Sequence, residues 1–109
     1  MKMESEKFCI VLTTVNNHQN ADQIIESLLR HQLAACIQTI PINSHYVWEG
    51  AVCRDDEILM VIKTRCACYE ALEREVLAVH EYEVPQIVQV PIIDGFNPYL
   101  SWLQANTQV

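Results

Sequence analysis

A long hairpin pattern occupies the middle of this chain and restricts what it can fold into. An apolar run over 33–40, which includes Cys36, meets Pro41, where a strand bends or loses a neighbour. Pairing then resumes. Ile42, Ser44, Tyr46 and Trp48 share one face, and Asn43, His45, Val47 and Glu49 the other, with Glu49-Gly50 set for a tight turn. The returning strand spans 51–64, with Arg54, Asp55, Asp56 and Glu57 ahead of the apolar run Ile58-Leu59-Met60-Val61-Ile62. With roughly fourteen residues a side the hairpin reaches about 45 Å at ~3.3 Å per residue, longer than a small sheet needs. Its distal part must project. A projecting arm that carries Tyr46 and Trp48 leaves aromatic surface wet in a monomer, so the pattern predicts an oligomer.

The flanking segments supply the rest of a sheet. Residues 8–14 form a short apolar, β-branched run, the signature of an inner strand covered on both faces. A helix follows, with Asn20 as its cap, Gln23 three residues on, and Ala21, Ile24, Ile25, Leu28 and Leu29 along one face. Arg30 and His31 complement its dipole. A second helix is expected over 68–80, with Leu72, Val76 and Val79 inward and a Glu70–Arg74 pair outside. Residues 86–93 read as the last main strand, and a short final helix begins at an Asn97 cap with Pro98 in its first turn, Leu100 and Leu103 inward and Trp102 nearby. The order strand, helix, strand, strand, helix, strand, helix defines an α+β fold over 1–109 as one domain. It is a ferredoxin-like split βαβ arrangement with an antiparallel sheet, helices on one face, a long hairpin and a short C-terminal helix.

Charge and cysteine content narrow the function. A net charge of −7 with seven scattered basic residues opposes nucleic-acid binding. No run approaches membrane-spanning length, so no membrane insertion is expected. The charged start, 1–7, is followed by too short an apolar run for a signal peptide, and five irregularly spaced cysteines fit free thiols in a reducing cytosol. The expected location is cytoplasmic.

Polar chemistry is densest in His80-Glu81-Tyr82-Glu83-Val84-Pro85-Gln86-Ile87. Pro85 ends the helix by about residue 83, leaving an imidazole, two carboxylates and a phenol at its carboxyl end. One helical turn puts His80 and Glu83 on the same side, a donor pair suited to zinc or copper(II), with further ligands from Cys36, another strand or a second chain. The plainer reading is a helix cap, with His80 at the terminal carbonyls and both Glu solvated. Cys66 and Cys68 make a Cys-x-Cys pair, half of a soft-metal site; Cys9 and Cys36 lie in core-like strands. His18 and His45 read as surface residues. Lys63, at a strand end, either holds an anion or snorkels. Serines in no nucleophile-elbow pattern and only two glycines leave no catalytic constellation or phosphate loop.

Several segments together resemble the CutA1 family of divalent cation tolerance proteins. They are Leu33-Ala34-Ala35-Cys36, Ile40-Pro41, Tyr46-Val47-Trp48-Glu49-Gly50, Ile62-Lys63-Thr64, the 80–87 stretch and Pro98-Tyr99-Leu100-Ser101-Trp102. The resemblance implies a ferredoxin-like subunit in a homotrimer whose hairpins pair edge to edge, and a role in tolerance of copper and other divalent metals without an enzymatic reaction. It implies a cleft between subunits formed by Lys63, His80, Tyr82 and Glu83, with Trp48 from the hairpin and Cys36 from the second strand. Glu81 stands where the family often has Pro, and Ile42 where it often has Gly. Cys53, Cys66 and Cys68 fall outside the matching motifs. The expected function is thus weak binding of copper(II) or a similar divalent ion through Cys36, His80 and Glu83, with no obligatory cofactor and with an unidentified protein partner receiving the signal. The rival is a module resembling the PII signalling proteins, with a small anion held by Lys63 and His80; an enzyme using His80 as acid or base beside Glu83 is the third.

Overall fold

The computed structural model describes residues 7–108; the charged stretch before Lys7 lies outside the described residues. Four strands and three helices follow one another as β1 (Phe8–Val15), α1 (His18–Arg30), β2 (Cys36–Trp48), β3 (Ala51–Arg65), α2 (Tyr69–Val79), β4 (Ile87–Ile92) and α3 (Asn97–Ala105), with a 3-10 turn at Cys66–Cys68 between β3 and α2. The sheet order is β2-β3-β1-β4 and every pairing is antiparallel. Each strand–helix–strand unit therefore straddles a strand of the other, the split βαβ arrangement.

Alternation along the strands builds the core. Cys9, Val11, Thr13 and Val15 of β1 and Ile58, Met60, Ile62 and Thr64 of β3 are all buried and turn to the same side. There Ala21, Ile24 and Leu28 of α1 and Leu72 and Val76 of α2 cover them. Full burial of an aliphatic side chain is worth ~1.5–3 kcal/mol, so this one layer holds the domain together. The opposite face of β1 is less protected than its apolar run predicts: Ile10 and Leu12 are half-buried, and their β4 partners Val90 and Val88 stay exposed. Leu29 of α1, expected inward, is exposed too.

Not all helices share one face. Lys63 and Arg65 alternate with the buried Ile62 and Thr64, and it is they that meet the α3 segment. The Lys63 ammonium lies 5.7 Å from the centre of the Tyr99 ring, and Arg65 donates to the Thr107 hydroxyl and carbonyl at 2.8 and 2.9 Å. Leu103 is fully buried and anchors α3.

The hairpin runs through Pro41 without a break. Proline is tolerated there because β2 is an edge strand. The β1–β3 ladder stops at Val15↔Ile58, whereas β2 and β3 stay paired out to Trp48↔Ala51, so residues 42–48 and 51–57 form a two-stranded arm beyond the sheet. The molecule is accordingly elongated, 43 × 26 × 22 Å. Val47 and Val52 at the tip are 70% and 83% exposed, with Tyr46 and Trp48 exposed beside them.

Helix limits differ from expectation in three places. Asn17, not Asn20, caps α1, accepting from the Asn20 amide at 2.7 Å. Phe96, not Asn97, occupies the cap position of α3. And α2 stops at Val79, because His80 already has an extended backbone.

Candidate functional site

The early end of α2 decides the geometry of the 80–87 stretch. Buried Asn20 of α1 reaches across to it: its amide donates to the Val79 carbonyl at 2.9 Å, and its oxygen accepts from the Glu81 amide at 3.2 Å. Asn17 adds a bond from its amide to the Glu81 carboxylate at 2.9 Å. Two asparagines of α1 thus hold the turn that follows α2.

His80 lies inside this turn. Its Nε2 is 2.9 Å from the Thr14 carbonyl, which can only accept, and its Nδ1 is 3.1 Å from the Tyr82 amide, which can only donate. These partners fix the neutral tautomer with the proton on Nε2. Burial pushes the imidazole pKa below its ordinary value and prevails over the opposing influences of the Thr14 carbonyl, Glu81 and Glu57. The imidazole therefore neither caps the helix carbonyls nor stands one helical turn from Glu83. Both ring nitrogens are engaged, so His80 is not poised as an acid or base.

In front of His80, its ring centre 4.9 Å away, stands Tyr82. The phenol donates to Glu57 of β3, and burial together with that carboxylate raises its pKa. On the arm, Tyr46 donates to Asp55 and its pKa rises to about 12, chiefly through that hydrogen bond. Between the arm and the turn lies a cleft of about 650 Å³ lined by Tyr46, Trp48, Glu57, Glu81, Tyr82 and Glu83 among others, none of them Lys or Arg. Glu57 and Glu81 have hydrogen-bond donors. The exposed Glu83 carboxylate has no hydrogen-bond or ion-pair partner among the described residues.

The cleft within this chain gathers Trp48, Tyr82 and Glu83, with His80 behind Tyr82. Cys36 and Lys63 lie elsewhere: they face each other in the β2–β3 ladder, next to Tyr99, whose pKa is raised by burial and by its hydrogen bond with Cys36. Lys63 is six residues from Glu57 along β3, roughly 20 Å at ~3.3 Å per residue. No group of three or more His, Cys, Asp or Glu side chains among the described residues could hold a metal within one chain. Glu57 and His45 are lining residues that sequence reasoning passed over. Glu57 looked like one of a solvated acidic run, and only the register that brings it under Tyr82 distinguishes it.

Comparison with known proteins agrees with this geometry. The family description "CutA1 divalent ion tolerance protein" matches residues 9–106. The divalent-cation tolerance protein CutA of Thermus thermophilus is 40% identical over 99 residues, covering 90% of this chain and 96% of that protein. The chloroplastic protein CutA of Arabidopsis thaliana is 41% identical over 100 residues, and this chain spans only 55% of its length. Among solved structures, CutA1 from Oryza sativa superposes with a TM-score of 0.90 at 40% identity, covering 94% of each chain. The Thermus thermophilus structure gives 0.89 at 39% identity, covering 93% of this chain and 99% of that one. Fold, sequence and spacing agree across nearly the whole length, and the chain belongs to the CutA1 family of divalent ion tolerance proteins.

Proposed function

We propose that the protein serves divalent-cation tolerance as a cytoplasmic homotrimer, without catalysis, by taking copper(II) or a similar divalent ion into the cleft between arm and turn. The observation that carries this reading is the unpartnered Glu83 carboxylate in a cleft with Glu57 and Glu81 and no basic lining residue. Such a lining concentrates cations and repels anions. It disfavours the signalling alternative, in which Lys63 would hold a small anion, as does the seat of that ammonium over Tyr99.

A second subunit is needed to complete the ligand set. Cys36, paired with Lys63 across the β2–β3 ladder, lies outside the cleft that Glu83 lines, and the arm and the open sheet face leave Trp48, Val52, Val88 and Val90 exposed. Packing three subunits through these surfaces covers the apolar area and pairs the free β2 edges. Glu83 then acts as the first ligand, Cys36 of a neighbour as the soft one, and His80 joins through Nδ1 only if it releases the Tyr82 amide. Trp48 and Tyr82 wall the cleft, and occupancy biases contact with a protein partner that reads the metal level.

Native mass spectrometry of untagged protein, with and without copper(II), tests both halves. A trimer that takes up copper, with uptake weakened in Glu83→Gln, is the expected result. A monomer overturns the shared cleft, and a trimer that stays empty overturns the metal.

A further inference from the structure

Three of the five cysteines gather at the end of the sheet remote from the arm. Cys9 lies in the second position of β1, opposite Thr64, with its side chain fully buried on the helix-covered face. Cys66 follows β3 directly, and its amide donates to the Lys7 carbonyl at 2.9 Å, extending the ladder by one step. That step makes Cys9 and Cys66 diagonal neighbours on one face of the ladder. Cys66 packs against the core cluster that contains Cys9, and Cys68, fully buried in the same 3-10 turn, is the next thiol. Cys66 is half-exposed and forms the route from solvent to Cys9. All these thiols are free.

We propose that Cys9 and Cys66 form a two-coordinate site for cuprous copper, separate from the divalent-ion cleft. Two thiolates are half of a zinc site, and among the described residues no group of three or more His, Cys, Asp or Glu side chains completes one. Soft, monovalent Cu(I) is satisfied by two thiolates in line, and two cysteines that are diagonal neighbours on one face of the ladder and pack in the same cluster can supply them. The ion binds already reduced. Each thiol releases its proton and donates a sulfur lone pair, so Cu(I) and two thiols give a bis-thiolate complex and two protons, with no electron transferred.

Burial, reinforced by Cys66 and Cys68, holds the Cys9 thiol protonated up to about pH 12. Binding releases thiol protons, so uptake should weaken as the pH is lowered.

The test uses the full chain under anaerobic reducing conditions, with Cu(I) competed against a chromophoric cuprous chelator. Wild type, and a Cys36→Ser/Cys53→Ser variant that keeps only the three clustered thiols, should each take up a single equivalent with ultraviolet thiolate-to-copper absorption. Cys66→Ser, at a half-exposed position that tolerates the change, should lose it while its circular dichroism is unchanged. Uptake that survives Cys66→Ser, or disappears in the Cys36→Ser/Cys53→Ser variant, overturns the site. Glu83→Gln separates this site from the cleft, because it should leave Cu(I) uptake intact whatever it does to copper(II).

Discussion

His80 and Asn20 show how single residues commit the chain to its candidate site. Because the folded environment lowers the His80 pKa, the unfolded chain binds that proton more readily than the native one. The sign follows: its stability contribution is complete above the ordinary value of 6.5 and is lost as the pH falls through 6.5 toward the lower folded value. Thermal midpoints should decline across that acid window, and the decline should be shallower in His80→Gln, which cannot titrate. Asn20, 1% exposed, carries a heavier structural duty. Asn20→Ala leaves the part-buried Val79 carbonyl and Glu81 amide without their partner, which should cost about 2 kcal/mol in urea unfolding, the low end for two stranded polar groups because water can reach them in part. The sequence marks Asn20 only as one asparagine of several before an apolar stripe. Periodicity cannot choose between Asn17 and Asn20 as cap, because what decides is a demand from Glu81, sixty-one positions away. The residue types around His80 are legible in the same limited sense: the imidazole and Glu83 can be picked out, but not that both ring nitrogens meet backbone groups.

At the scale of elements, local signals placed all four strands and all three helices within a few residues, and failed where an end has a non-standard cap. Helix α1 ends in a Schellman motif, with Leu33 donating to the Leu28 carbonyl at 2.9 Å and Gln32 to Leu29 at 3.1 Å. Gln32 occupies the left-handed position, φ 58°, where glycine is usual, so nothing in its identity announces the stop. Gln32→Gly should therefore stabilise the protein by about 1 kcal/mol, measured as a higher urea midpoint at unchanged slope. The hairpin was readable because its alternation and turn agree: Glu49 and Gly50 both have positive φ, as a two-residue turn requires. Placing α3 against Lys63 and Arg65 was not readable, because it depends on a face of β3 whose residues look like a continuation of the core run.

For the whole molecule, the arm and the open sheet face leave a single subunit with exposed apolar surface that the proposed trimer would cover. Trp48 sits at the arm tip, 42% exposed, where a carboxylate would be tolerated in a monomer but not in a packed interface. If the proposed trimer forms, Trp48→Glu should lower its light-scattering mass toward that of one chain while circular dichroism stays the same; an unchanged trimer mass would place the contact elsewhere. The ladder also orders events in time. Strands β2 and β3 are joined by a tight turn and can pair as soon as they exist, and β1 can then add to β3. The other edge of β1 waits for β4, since Phe8 pairs with Ile92. During synthesis the central strand of the sheet therefore keeps one edge unpaired until nearly the whole chain has been made, which makes a chain released early, before residue 87, a template for aggregation.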